Sequence, residues 1–122
     1  MKKNLSITAI LGMLAIVLGA FGAHALKEKL GPDALNSFET GVHYQMYHVL
    51  ALLFVNTYAG FSEKIKNVVS IFFFVGVLFF SGSIYAITAG GIDPKMIWFI
   101  TPLGGLLFII GWLVMFVNFL KK

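Results

Sequence analysis

"NVVSIFFFVGVLFFSGSIYAITAGGI", residues 67–92, runs for 26 positions without Asp, Glu, Lys or Arg. About 20 apolar residues in a helix cross the hydrocarbon core of a bilayer, so this stretch is long enough to span one alone. A barrel strand would alternate apolar and polar positions over about ten residues, and "VSIFFFVGVLFF" at 69–80 does not alternate. The pattern recurs outward along the chain: residues 4–26, 40–62 and 96–120 are also free of charge, each at least 23 residues long. Four such runs in 122 residues predict an all-α integral membrane four-helix bundle forming a single domain over 1–122. The loops around 63–66 and 93–95 are short, so neighbouring helices should run antiparallel.

Composition narrows the chemistry. The chain is 59% hydrophobic and 11% charged, with a mean hydropathy of +0.92, whereas a soluble domain is roughly a quarter charged. There is no cysteine, which removes disulfides, thiolate metal sites and thiol nucleophiles. Arginine is absent too, so no bidentate fork is available for a carboxylate or phosphate. The net charge of +4 comes from lysines flanking the spans and carries no nucleic-acid signal.

Those lysines set an orientation. With the N-terminus inside, Lys2, Lys3, Lys64, Lys66, Lys121 and Lys122 lie on the inner side, against Lys27, Lys29 and Lys95 outside. The positive-inside rule then places both termini in the cytoplasm. The basic start, apolar run and Ala23-His24-Ala25 imitate a signal peptide, but the apolar run exceeds the roughly 7–15 residues of a signal core. A retained first helix is expected.

Between the first two spans, Gly31-Pro32 suits a helix start, with Leu35, Phe38 and Val42 following at helical spacing. This predicts one helix from 32, whose turns over 32–39 lie at the membrane surface before it enters. The fourth span has two readings: it begins at Pro102, with Thr101 as cap, or begins near Lys95 and is kinked at Pro102. Small residues spaced by four (Ala15, Gly19, Ala23; Gly82, Ala86, Gly90), together with Gly22, Gly104, Gly105 and Gly111, predict close helix packing.

Polar residues inside spans are costly and need a partner or a function. "GVHYQMYHVL" at 41–50 brings two histidines and two tyrosines into the second span. At a rise of about 1.5 Å per residue, His48 lies about 12 Å deep, Tyr85 about 10 Å and Thr101 about 8 Å. Ser81 and Ser83 sit slightly deeper, and His24 and His43 lie nearer the outer surface. These residues predict a polar belt in the outer half, with little but Asn56 in the inner half.

His43 and His48 are five apart and so rotated by about 140°, which forbids a shared metal; helical ligand pairs use spacing three or four. No metal site is expected. The same-face sets are Glu39, His43 and Tyr47, and Tyr44 with His48. One reading is that the belt groups satisfy one another across helices, with Tyr44 and Tyr85 as partners of His48. Another is that the belt binds a small polar or quinone-like ligand, with His48 moving a proton. A third is that His24 and His43 clamp a haem b between adjacent helices; no cofactor is the primary expectation. No acid lies within a span, and Ser81 or Ser83 with His48 lacks an orienting carboxylate, so catalysis is not expected.

Four segments, "LGAFGAHAL" at 18–26, "YHVLAL" at 47–52, "FFSGSIYA" at 79–86 and "TPLGGLLFIIGW" at 101–112, together resemble the YgdD/YwdK-type family of uncharacterised bacterial inner-membrane proteins. The resemblance covers nearly the whole chain. It implies a multi-pass protein of the bacterial cytoplasmic membrane and transfers no activity, cofactor or catalytic residue. The expectation is therefore a non-catalytic accessory or ligand-binding protein whose partners are the bilayer and a second copy or another membrane protein. The alternative is a small transporter or channel gated at the belt.

Overall fold

The structure is a computed structural model that describes residues 2–121. Its elements are α1 (Lys2–Phe21), a π-helical turn (Gly22–Leu26), α2 (Pro32–Thr57), α3 (Glu63–Thr88), a one-turn α4 (Pro94–Ile97) and α5 (Ile100–Leu120). Three segments are long and apolar enough to cross a membrane: Lys2–Leu26, Glu63–Thr88 and Ile100–Leu120. The second helix is not among them. At 26 residues it has the length, but its first two-thirds carry Asp33, Glu39, His43, Gln45 and His48.

Helix ends follow local chemistry. Pro32 occupies the first turn of α2 after Gly31, where its missing N–H costs nothing. The helix runs unbroken from there to Thr57, one helix as expected. Its Phe38 is 1% exposed, clamped between Gly22 and the ring of Tyr85. Ser62 caps α3 by accepting from the Ile65 N–H, the expected role of a short polar side chain there. Gly91, at φ 70, lets the chain leave α3 with the Ile92 N–H reaching back to the Ala86 carbonyl. Both readings of the fourth span are revised: Asp93 caps the short α4, the chain turns at Trp98 and Phe99, and α5 starts at Ile100. Pro102 then falls in the first turn of α5, whose N–H groups have no helical acceptor, and it kinks nothing.

Close backbone approach joins consecutive long helices, α1 with α2, α2 with α3 and α3 with α5. Each interface repeats at 3–4 spacing, the mark of near-parallel helix packing. On α2 the buried positions include Phe38, Gly41, Gln45, His48, Leu52 and Val55. Between α3 and α5 the antiparallel register matches Phe73 to Gly111, Gly76 to Phe108, Phe80 to Gly104 and Ser83 to Thr101. Phenylalanine from either helix enters a gap left by glycine on the other, which is how membrane helices gain packing without a hydrophobic driving force. An apolar layer of Leu52, Val55, Val69, Phe73, Val77 and Phe108 closes the middle of the molecule. The glycines expected to pack are not equivalent. Gly22 and Gly104 meet neighbours too closely for a Cβ, Gly19 and Gly105 make ordinary contacts, and Gly82 faces open space beyond its own Leu78.

The α1 start, the α2–α3 turn and the α5 end share one end of the molecule. Asn4 bonds Asn56 and Asn67 there, and the Phe119 ring packs on Tyr58 and Phe61.

Candidate functional site: polar groups between the helices

The deepest histidine of the second helix is built into a closed set of contacts. His48 is 4% exposed. Its Nδ1 lies 2.8 Å from the carbonyl of Tyr44, one turn back, and its Nε2 lies 3.0 Å from Trp112 Nε1 on α5. A carbonyl only accepts and an indole N–H only donates. The proton therefore sits on Nδ1, Nε2 is the bare acceptor, and the ring is neutral. Phe108 stacks on it at 3.6 Å between centroids, and Phe73 meets it edge-on. The expected partners are corrected: Tyr44 contributes its backbone rather than its phenol, and Tyr85 is engaged elsewhere.

Tyr85 donates to Gln45 Oε1 at 2.7 Å, and Gln45 Nε2 donates to the Leu11 carbonyl at 2.7 Å. Three helices are thereby tied through one buried amide. A helical side chain leans toward its own N-terminus, so Tyr85 reaches deeper than its Cα and meets Gln45 rather than a residue at its own level. Ser81 donates to the Gly41 carbonyl at 2.7 Å, and Tyr85 and Ile84 fill the gap where Gly41 has no side chain. Ser83 and Thr101 share a short hydrogen bond across α3 and α5.

His24 and His43 are exposed and make no contact with each other. The contacts of Gly12 with Val49, Gly19 with Val42 and Gly22 with Phe38 set the α1–α2 register. That register places His24 level with about residue 37, some 9 Å along the axis from His43 at about 1.5 Å per residue. The expectation that the two histidines lie at similar depth is corrected. Glu39 forms no ion pair with His43; the imidazole instead stacks on Tyr47. Among the described residues no group of three or more His, Asp or Glu is placed to hold a metal.

The half that carries the termini is richer in polar groups than the sequence suggested. Asn4 donates to Asn56 Oδ1 at 3.0 Å and to Asn67 Oδ1 at 2.9 Å. Asn56 donates to Ser70 Oγ and to the Leu52 carbonyl. Thr8 and Ser70 are fully buried beside them, and Lys66 pairs with Glu63 at 3.6 Å. These groups escape a depth count because each looks isolated on its own helix and is gathered only by packing. Gln45 was findable, since it lies on the 3–4 stripe through Phe38, Gly41, His48 and Leu52. Trp112 was not: an aromatic near mid-helix reads as lipid-facing, and 46% of it is exposed. Among the described residues no buried side-chain nitrogen or oxygen lacks a partner.

Long apolar helices around a satisfied polar core define a small helical membrane protein. Comparison with known proteins gives the family. Residues 18–105 match a family described as "Protein of unknown function (DUF423)", and the chain belongs to it. It is 40% identical over 121 residues to a UPF0382 membrane protein of Staphylococcus saprophyticus, covering 99% of both chains. It is 39% identical to the UPF0382 membrane protein YwdK of Bacillus subtilis, covering 99% of this chain and 98% of that one. It is 34% identical to the UPF0382 inner membrane protein YgdD of Escherichia coli, covering 93% and 86% respectively. No solved structure matches it.

Proposed function

We propose that the protein is a non-catalytic, ligand-binding or accessory component of the bacterial cytoplasmic membrane, crossing it four times with both termini inside. The observation that carries this reading is the closure of the polar core: every buried polar side-chain atom among the described residues has a partner. A proton relay needs a lone pair or N–H open to water, and both nitrogens of His48 are already committed to Tyr44 and Trp112. A nucleophile needs an oriented base, whereas Ser81 and Ser83 spend their hydroxyls on Gly41, Phe80 and Thr101. Transport along the bundle axis is disfavoured by the layer from Leu52 to Phe108, which separates the Gln45–Tyr85 group from the asparagine cluster. Haem is not part of the reading.

In this reading α2 is the polar crossing, flanked by α1 and α3, and its charged start at Asp33 and Glu39 lies outside. The six-to-three lysine asymmetry supports cytoplasmic termini. The relative named an inner membrane protein supports the compartment. What remains for function is the lipid-facing surface. Between α2 and α5 an open groove of about 580 Å³ runs past Tyr44, Phe80, Leu106 and Trp112, shaped for a lipid-like ligand or a partner helix. Reporter fusions after Leu30, after Gly60, after Gly91 and at the C-terminus test the topology. Activity alternating outside, inside, outside, inside is expected; a periplasmic C-terminus overturns the reading.

A further inference from the structure

α1 touches α2 along its length, and near its start Asn4 also bonds Asn67 of α3. A lateral groove lies between α1 and α3. Its upper part, about 370 Å³, runs between Ile7, Leu11, Leu14 and Leu18 of α1 and Val77 and Gly82 of α3. Its lower part, about 380 Å³, opens at the end carrying the termini and is lined by Lys3, Asn4 and Asn67. The two parts adjoin at Ile7 and Phe74, which line both, and together they trace a trough along α1. The apolar stretch from Ile7 to Leu18 is about 16 Å long at the helical rise, close to half of the roughly 30 Å hydrocarbon core. The trough is therefore one leaflet deep, mostly apolar with the hydrogen-bonded pair Gln45 and Tyr85 in its wall, and cationic at its mouth.

We propose that this trough seats one anionic phospholipid of the leaflet on the termini's side, with an acyl chain along Ile7–Leu18 and the phosphate at Lys3 and Asn67. Three observations converge on that occupant. Lys3 is the sole charge lining the mouth among the described residues, and Glu63, the nearest acid in sequence to Asn67, is taken by Lys66. Asn67 accepts from Asn4 through Oδ1, which leaves its amide N–H groups for an outside acceptor. Gly82 belongs to a small-residue series but packs against no other helix; the missing side chain instead keeps the upper trough open. A lysine binds phosphate as a point charge, without the fork of an arginine. The inference rests on the membrane reading but not on its topology: the leaflet is fixed by the position of the termini, whichever side they face.

The test is native mass spectrometry of the full-length protein in detergent, titrated with phosphatidylglycerol or with phosphatidylcholine of the same acyl chains. The wild type is expected to retain one phosphatidylglycerol and to prefer it about fivefold, the effect of one lysine beside an anionic surface. Lys3→Gln should bring retention down to the phosphatidylcholine level. Gly82→Leu, which enters space where a Cβ meets only Leu78 at 4.0 Å, should lose either lipid without loss of thermal stability. Gly105→Leu, in the other groove, should retain both. Equal retention of the two lipids by the wild type overturns the headgroup assignment, and undiminished retention by Gly82→Leu overturns the trough. A lipid-free dimer abolished by Gly82→Leu would replace the lipid with a second copy. None of these results alters the outcome of the reporter fusions, so the two readings fail separately.

Discussion

Gly104 and Gly105 are neighbours in sequence and should respond oppositely to a single methyl group. A Cβ at Gly104 would lie 2.8 Å from Phe80 Cα and 2.9 Å from the Phe79 carbonyl carbon. These are backbone atoms of α3 and cannot rotate aside. Ordinary carbon–carbon contact lies at about 3.5–4.0 Å, so α5 must retreat by roughly 1 Å. That shift loosens the two adjacent Phe–Gly contacts, Gly76 with Phe108 and Phe73 with Gly111, because they lie on the same helix pair. Overpacking of this kind costs about 1–3 kcal/mol, offset by the ~0.5–1 kcal/mol that Ala gains over Gly inside a helix. Gly104→Ala should thus be destabilised by a net ~1–2 kcal/mol, a fall in Tm of roughly 3–10 °C for a chain of this size. At Gly105 the nearest atom to an added Cβ is Phe80 Cδ1 at 3.8 Å, an ordinary contact, so Gly105→Ala keeps the helix gain and melts at or above the wild-type temperature. Thermal unfolding in detergent of the three proteins side by side measures both effects. Equal Tm values for Gly104→Ala and wild type, or an equal fall in Gly105→Ala, would refute the register assigned to α3 and α5.

His48→Ala should cost about 1–3 kcal/mol in the same assay, because the Trp112 indole N–H loses its acceptor; His48→Gln, which keeps a donor and an acceptor, should recover most of it. If Gln preserves the melting temperature yet fails to complement a deletion strain, His48 acts on a ligand and the structural assignment falls. Asn56→Ala should cost a similar ~1–3 kcal/mol, since Asn4 and Ser70 both lose a partner, while Asn67→Ala at the exposed edge should cost well under half of that. The purified protein should show no Soret absorption; a stoichiometric haem spectrum lost on His24→Ala would contradict the offset of about 9 Å worked out from the α1–α2 register.

The sequence by itself determined the class of this protein. A long apolar run such as 67–92 reads as a helix in lipid, because backbone groups there must be satisfied within the segment, and three such helices are present among the described residues. The four motifs that resemble a known family pointed to the family to which the chain belongs. Depth counting singled out His48, Ser81, Ser83, Tyr85 and Thr101 as groups needing partners, since polar atoms in hydrocarbon are costly unpaired. Only the tertiary structure decided who those partners are. A side chain's reach depends on its lean along the helix, which sends Tyr85 to Gln45, and on register between helices, which separates His24 from His43 and brings Trp112 to His48. Register also decides which glycines pack. Gly104 and Gly82 are the same residue type in similar motifs, yet the first meets the Phe80 backbone and the second faces an open trough. A motif records that a residue is small; what occupies the space it leaves is a property of the neighbouring helix.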